Sequence, residues 1–427
     1  MIRLYDLLIK GVRRLTDSES IDIGIKQDRI VAIGSISDSA LKTIDGKGRV
    51  VLPPYVESHI HLDTALTCGF PAFNQSGELF EGIKLWNEYR QTMTEKEVTS
   101  RALDVIRTMA GQGVLFMRSM VDVSDPNLIA LKALLQVKKQ VAPFMALQLV
   151  AFPQSGLSSQ AGREQLDQAI ALGIDGISAV PHLEPTREKG VASLVYCFQR
   201  AQESNCFLHI FCDEIDDLQS RYLEVVADLA YESGLKERVT VSHLNAMSYY
   251  NEAYVRKVIS LVKRAEINVV TAPLISSVMQ GRLDSWPKGR GITRVKDLHE
   301  AGVPVAIAHD DFLSPFYPLG TGSLLNACHM LIHLAHMTGL DDFQDVFEMI
   351  TSTPAKILNI DNYGIKKGCL ANLLLVTASD AHDLIRRQPV AEVVISQGHI
   401  IAETPLQQTV LHVADTLKLN DEKLDFV

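Results

Sequence analysis

The 427-residue chain has no block of lysine and arginine, and its formal charge at pH 7 is -10. Nucleic acids and anionic membrane surfaces are gripped by clustered basic side chains, so both are excluded as partners and a small molecule is favoured. No run reaches about 18 uninterrupted apolar residues, which argues against a membrane-crossing helix. The opening MIRLYDLLIKGVRR lacks the apolar block of a secretory leader. Cys68, Cys197, Cys206, Cys212, Cys328 and Cys369 form no CxxC pair and are too sparse for a disulfide scaffold, so a reduced, cytoplasmic setting is expected. Neither a Walker A string nor GxGxxG occurs, which removes the usual phosphate cradles. The signature that joins H-x-E to P-C-x-x-C in one class of zinc deaminases is absent, because no P-C-x-x-C is found.

What is present is a composition of 47% hydrophobic and 22% charged residues, enough to bury a large core. The length suits a barrel of about 250 residues with a smaller second unit. Apolar runs rich in β-branched residues extend over 50–61, 113–123, 146–152, 176–180, 207–212, 239–243, 267–272 and 303–309. Between them, segments such as 95–110, 128–141 and 250–265 carry apolar residues at spacings of three and four, the pattern of an amphipathic helix. Eight alternating βα units predict a (β/α)8 TIM-like barrel whose site lies at the C-terminal ends of its strands.

The two chain ends share a different texture. Short strand runs around Ile21–Ile25 and Ile30–Ile33 are matched near the other end by Ala371–Val376 and Val393–Gly398. The expectation is an α/β protein in which residues 1–52 and 357–427 build a small β-sandwich, with the two ends pairing into one sheet, around a barrel of residues 53–356.

Chemistry enters at His59-Ile60-His61, which ends the first barrel run. Imidazoles at i and i+2 project from one face of an extended chain. Two neutral ring nitrogens converging on one point suit Zn2+ or Fe2+.

The surrounding strings carry a resemblance. Val56–Asp63 (VESHIHLD), Asn74–Gly77, Leu79–Ile83, Val150–Gln154, Cys212–Asp217 (CDEIDD), Ser242-His243, Gln280-Gly281-Arg282, Gly291–Lys296, His309-Asp310-Asp311 and Tyr317–Thr321 run in the order found in bacterial cytosine deaminases of the amidohydrolase superfamily. The chain resembles that family over nearly its whole length. The resemblance implies a metal-dependent hydrolase that breaks a C–N bond of a cytosine-like N-heterocycle, with Fe2+ or Zn2+ held by His59, His61 and Asp310. It further implies that Asp310 orients a water, Glu214 shuttles a proton to the ring, His243 hydrogen-bonds the water or the developing charge, and Gln154, Asp311 and Phe316 meet the substrate. A homo-oligomer is expected as well.

The chain departs from the family at places that matter. Where the family has a ligand histidine three positions before the shuttle glutamate, this chain has Phe211, and Met120 replaces another histidine in the second strand. His209 shares the face of Phe211 but lies about 6.6 Å deeper along the strand, too far to substitute without a bulge. Phe316 replaces a tryptophan, and Ser276-Ser277-Val278 replaces an Asn-Ile-His. These changes predict a weakly held metal and a ring other than cytosine itself. The competing reading is a metal-poor binding protein on the same barrel, with Phe211 and Met120 as an apolar floor. His309, facing away from its neighbour Asp310, is read as a core histidine.

Overall fold

The computed structural model describes residues 5–405. Residues 1–4 and 406–427, which the expected end domain includes, lie outside the described residues. Eight strands, Tyr55–His61, Val114–Asp122, Ala146–Phe152, Gly176–Ile177, Phe207–Cys212, Val239–His243, Asn268–Thr271 and Val305–Ile307, pair in sequential order. Every pairing among them is parallel. The ring closes where the Asp310 amide donates to the His59 carbonyl at 3.1 Å, forming a parallel bridge between Ile60 and Asp310.

The helices between the strands follow from their sequences. Glu95–Gly111 starts at Thr94, whose side chain accepts from the Glu97 amide, and it buries Val98, Ala102, Val105, Ile106 and Met109. Glu252–Arg264 is capped in the same way by Asn251 and buries Tyr254, Val255, Val258 and Val262. Such caps satisfy amides that the first helical turn leaves without partners. The buried stripes recur at three and four residues and join the barrel strands in one continuous core.

The expected first run, 50–61, is two strands. Pro53 and Pro54 lack the amide hydrogens a ladder needs, so pairing stops there. Val50–Leu52 leaves the barrel and pairs antiparallel with Leu373–Val376.

The chain ends form two four-stranded sheets rather than one. The first contains Arg29–Gly34, Ile21–Lys26, Tyr5–Val12 and Ala40–Asp45; the second contains His399–Glu403, Val393–Ser396, Leu373–Val376 and Val50–Leu52. Leu7, Ile9, Ile23 and Ile25 from the first pack with Val51, Leu373, Leu375 and Ile395 from the second. A single sheet would leave these alternating apolar faces wet. Stacking two sheets buries both, so the ends form a sandwich.

Candidate active site

The site lies where the first, fifth, sixth and eighth barrel strands end. His59 and His61 come from the first, and the side chain of Glu57, on the same face, anchors them. Its Oε1 accepts from the His59 amide and its Oε2 from the His309 amide, both at 2.9 Å, so one buried carboxyl braces the closing strands. Burial pushes that carboxyl up to about 8, although both backbone hydrogen bonds oppose the shift.

At the ends of the other three strands the backbone leaves the strand conformation at, or one residue before, the residue that enters the site. Asp213, His243 and Asp310 have φ of 52°, 71° and 68°. Left-handed backbone costs a non-glycine residue roughly 1–2 kcal/mol, and such strain gathers at functional sites. At Asp310 it breaks strict alternation, so that Asp310 and Asp311 both line the cavity. His309 faces outward, and its Nε2 accepts from the Thr321 and Gly322 amides at 3.1 and 2.9 Å. Asp213 does not enter the site. Its carboxylate accepts from Ser220 and from the Tyr222 and Leu223 amides, pinning the loop that carries Glu214.

Asp310 is the centre. Its Oδ2 lies 3.7 Å from His59 Nε2 and 3.8 Å from His243 Nε2, and its Oδ1 lies 3.7 Å from His61 Nε2. His59 Nε2, both ring nitrogens of His243 and both Asp310 oxygens are buried without a hydrogen-bond partner. Unpartnered buried polar atoms are costly, and so many aimed at one point fit a cation. The His59, His243 and Asp310 ligand atoms lie within 4.8 Å of one another, and so do those of His61, Asp310 and Asp311. The residues therefore fit a divalent metal, and His243 supplies a third imidazole where Phe211 supplies none. Phe211 has its ring centroid 4.8 Å from that of His59 and 5.0 Å from that of His243.

Burial holds all three imidazoles below their ordinary range, His59 and His243 well below it, so they are neutral and each has one ring nitrogen without a proton. It pushes the carboxyls the other way. Glu214 rises to about 8 through burial and then the nearby Asp311, and Asp310 rises through burial followed by repulsion from Asp311 and Glu214. Asp311 reaches about 6, although Thr64 Oγ1 donates to it at 2.9 Å.

The cavity at these candidate ligand atoms has Gln154, Glu214, His243, Asp310, Asp311 and His61 as its polar lining, and Phe316 also borders it. His59 lies beneath, fully buried. The rest of the lining is apolar: Phe211 stacks on Phe152 with centroids 4.2 Å apart, and Val180 packs beside them. Met120 packs in the same buried cluster without lining the cavity, so the two positions that depart from the expected histidines form one remodelled apolar patch.

All of the expected site residues thus surround one point. Sequence reasoning missed Glu57, Arg118 and the brace around His61. There Asp63 Oδ1 lies 3.9 Å from His61 Nδ1, and Asp63 Oδ2 accepts from the Asp122 amide at 2.7 Å. The available signal was charge inside apolar strand runs, since a buried carboxylate or guanidinium persists only with partners.

Residues 42–402 match the family model described as the amidohydrolase family. A 5-methylcytosine deaminase from Klebsiella pneumoniae, solved with 5-fluorocytosine and with phosphonocytosine, is 40% identical to this chain. The likeness covers 95% of this chain and 99% or 100% of that one, with TM-scores of 0.90 and 0.92. N-isopropylammelide isopropyl amidohydrolase of Pseudomonas sp. (strain ADP) is 27% identical over 417 residues, 94% of this chain and 98% of that protein. A pterin deaminase of Rhizobium rhizogenes is 24% identical over 390 residues, 88% of each chain.

Proposed function

The chain belongs to the amidohydrolase family, hydrolases of non-peptide C–N bonds, and from that premise we propose that it removes the exocyclic amino group from a cytosine-type ring bearing a methyl group at C5. The observation that carries this reading is the mixed lining of the cavity, which joins Glu214 and Gln154 to the stacked Phe152 and Phe211 rings. A pyrimidine amide edge calls for a side chain that both donates and accepts, as Gln154 does. A 5-methyl group calls for an apolar wall, and Phe211 provides one where an imidazole would hold water.

A divalent ion, Zn2+ or Fe2+ by the preference of imidazole and carboxylate donors, would be held by His59, His61, His243 and Asp310 and would supply the Lewis acidity that activates water near pH 7. Asp310 orients the water and takes a proton from it. The water oxygen bonds to C4 while Glu214 delivers a proton to the adjacent ring nitrogen. The C4–N bond then breaks as the proton held by Asp310 passes to the departing amine, which leaves as ammonia, and the C4 hydroxyl proton passes to Glu214, leaving a C4 carbonyl and both carboxyls as they began. Glu214 suits this shuttle because a carboxyl titrating near 8 exchanges protons readily at neutral pH.

The test is ammonia release from 5-methylcytosine and from cytosine by protein carrying a full equivalent of Zn2+ or Fe2+. Thymine should form from the methylated ring at the higher kcat/KM. Loaded protein that deaminates neither ring would sink the proposal.

We place the protein in a reducing compartment, on six cysteines that are all unpaired. No helix among the described residues is long and apolar enough to cross a membrane. We also propose a homo-oligomer, because Phe70, Phe73 and Phe80 are exposed within one short segment, a density of apolar surface that monomers seldom leave open. Sedimentation velocity tests this.

A further inference from the structure

Beneath the site three buried side chains stand in line: Arg118 from the second barrel strand, His209 from the fifth and His59 from the first. Arg118 Nη1 lies 3.3 Å from His209 Nδ1, and His209 Nε2 lies 2.9 Å from His59 Nδ1. A guanidinium has only N–H groups to offer, so His209 Nδ1 is the acceptor. His209 therefore carries its proton on Nε2 and donates it to His59 Nδ1. A neutral His59 that accepts at Nδ1 carries its own proton on Nε2, the atom that faces Asp310 Oδ2 at 3.7 Å.

We propose that Arg118 and His209 are positioning residues that hold His59 in the tautomer protonated at its site-facing nitrogen, and that they thereby set how tightly the site takes a metal. The proposal rests on the metal reading given above. Histidines that bind metals usually donate a hydrogen bond from the nitrogen not bound to the ion, which leaves the ligating nitrogen its lone pair. Here the polarity is reversed. Arg118 is not free to turn away. Its Nε donates to Gln148 Oε1 at 3.0 Å, its Nη2 to the Ile357 carbonyl at 3.2 Å, and its guanidinium carbon lies 4.0 Å from the Phe207 ring centroid. His59 is thus the reluctant member of the ligand group, and His61, His243 and Asp310 must bind against that reluctance.

Two substitutions separate this from a merely structural role. His209→Glu places an acceptor-only group between Arg118 and His59, so His59 becomes the donor at Nδ1 and Nε2 regains its lone pair. Its isostere His209→Gln keeps one acceptor for Arg118 and one donor for His59, and leaves the tautomer as it was. Zn2+ alone, titrated in competition with a chromogenic chelator, should bind His209→Glu about 10- to 100-fold more tightly than the parent, the usual reach of a partner behind a ligand. His209→Gln should match the parent. Independently, 15N spectra of the imidazoles in the unsubstituted, metal-free protein should show His59 protonated on Nε2. A His59 protonated on Nδ1, or a folded His209→Glu protein that binds Zn2+ no tighter than the parent, overturns the proposal. If neither protein takes Zn2+, the metal reading of the site fails, and the 15N spectra decide the tautomer without it.

Discussion

Glu214 and Asp310 face each other across the His243 ring, whose Nδ1 lies 3.6 Å from Glu214 Oε1 and whose Nε2 lies 3.8 Å from Asp310 Oδ2. The two carboxyls share a ring but have different tasks, and substitution separates them. Glu214→Gln preserves shape and removes the exchangeable proton. It should lower kcat by about 10²- to 10⁴-fold, the usual worth of general acid–base catalysis, with metal content unchanged by elemental analysis. Unaltered kcat would remove Glu214 from the reaction.

Asp310→Asn acts on the other side of the ring. Its Oδ1 and Oδ2 lie within 3.8 Å of three imidazole nitrogens, so loss of the charge should reduce bound metal and activity together. Metal content equal to that of the parent would show that the ligands gather elsewhere.

Phe211→His tests the remodelled patch. A phenyl ring has no lone pair, whereas an imidazole at that place would lie beside both His59 and His243. Bound metal should rise and cytosine turnover with it, and Met120→His should help. The preference for the 5-methyl ring should shrink by about 10-fold or more, the discrimination one methyl contact supports. A full equivalent of metal without any change in the ratio of kcat/KM for the two rings would separate the wall from specificity.

Gly82→Ala offers a more distant handle. A Cβ there would sit 2.7 Å from a ring carbon of Phe316 and 3.3 Å from the Pro315 carbonyl oxygen. Phe316 borders the cavity and would have to shift, so KM should rise severalfold while metal content holds. Steady-state kinetics with the 5-methyl ring would show an unchanged KM if Phe316 does not meet substrate.

The pH dependence of stability has a defined sign. Glu214 is raised from 4.5 to about 8, so the folded, metal-free protein keeps this proton where the unfolded chain has lost it. Its contribution is fully present below about pH 4.5, declines as pH rises and is gone above about pH 8. The Tm of the metal-free parent, taken relative to Glu214→Gln, should therefore be higher at pH 5 than at pH 9. An equal difference at both would mean that Glu214 titrates normally.

The barrel was legible because its strands are short β-branched runs between helices with clear stripes, and periodicity reports both. The break at Pro53-Pro54 was legible in principle, since proline cannot extend a ladder. That both ends join in one sandwich was legible too, but which strands fall in which sheet was not, because alternation tells that a face is buried and not what covers it. At the site, His59, His61, Glu214, His243 and Asp310 stand in strings whose order survives, and the structure brings them together. What sequence could not reach is the left-handed backbone at His243, whose ring stands close enough to His59 and Asp310 for the three to share an ion. Likewise, spacing along one strand placed His209 too deep to act as a ligand but could not show which ring it touches on a neighbouring strand.

The hydrogen bond from the Asp310 amide to the His59 carbonyl joins the first and last staves of the barrel, and both residues also carry atoms of the proposed ligand group. The site is therefore a product of circular closure rather than of any local segment. A fragment lacking either stave has no partial version of it, and a permuted chain keeps it wherever the new ends are cut, provided these two staves still meet. An ion bound there would act as a clasp on that seam, so its effect should reach slow amide exchange around the whole ring and not only beside the ligands.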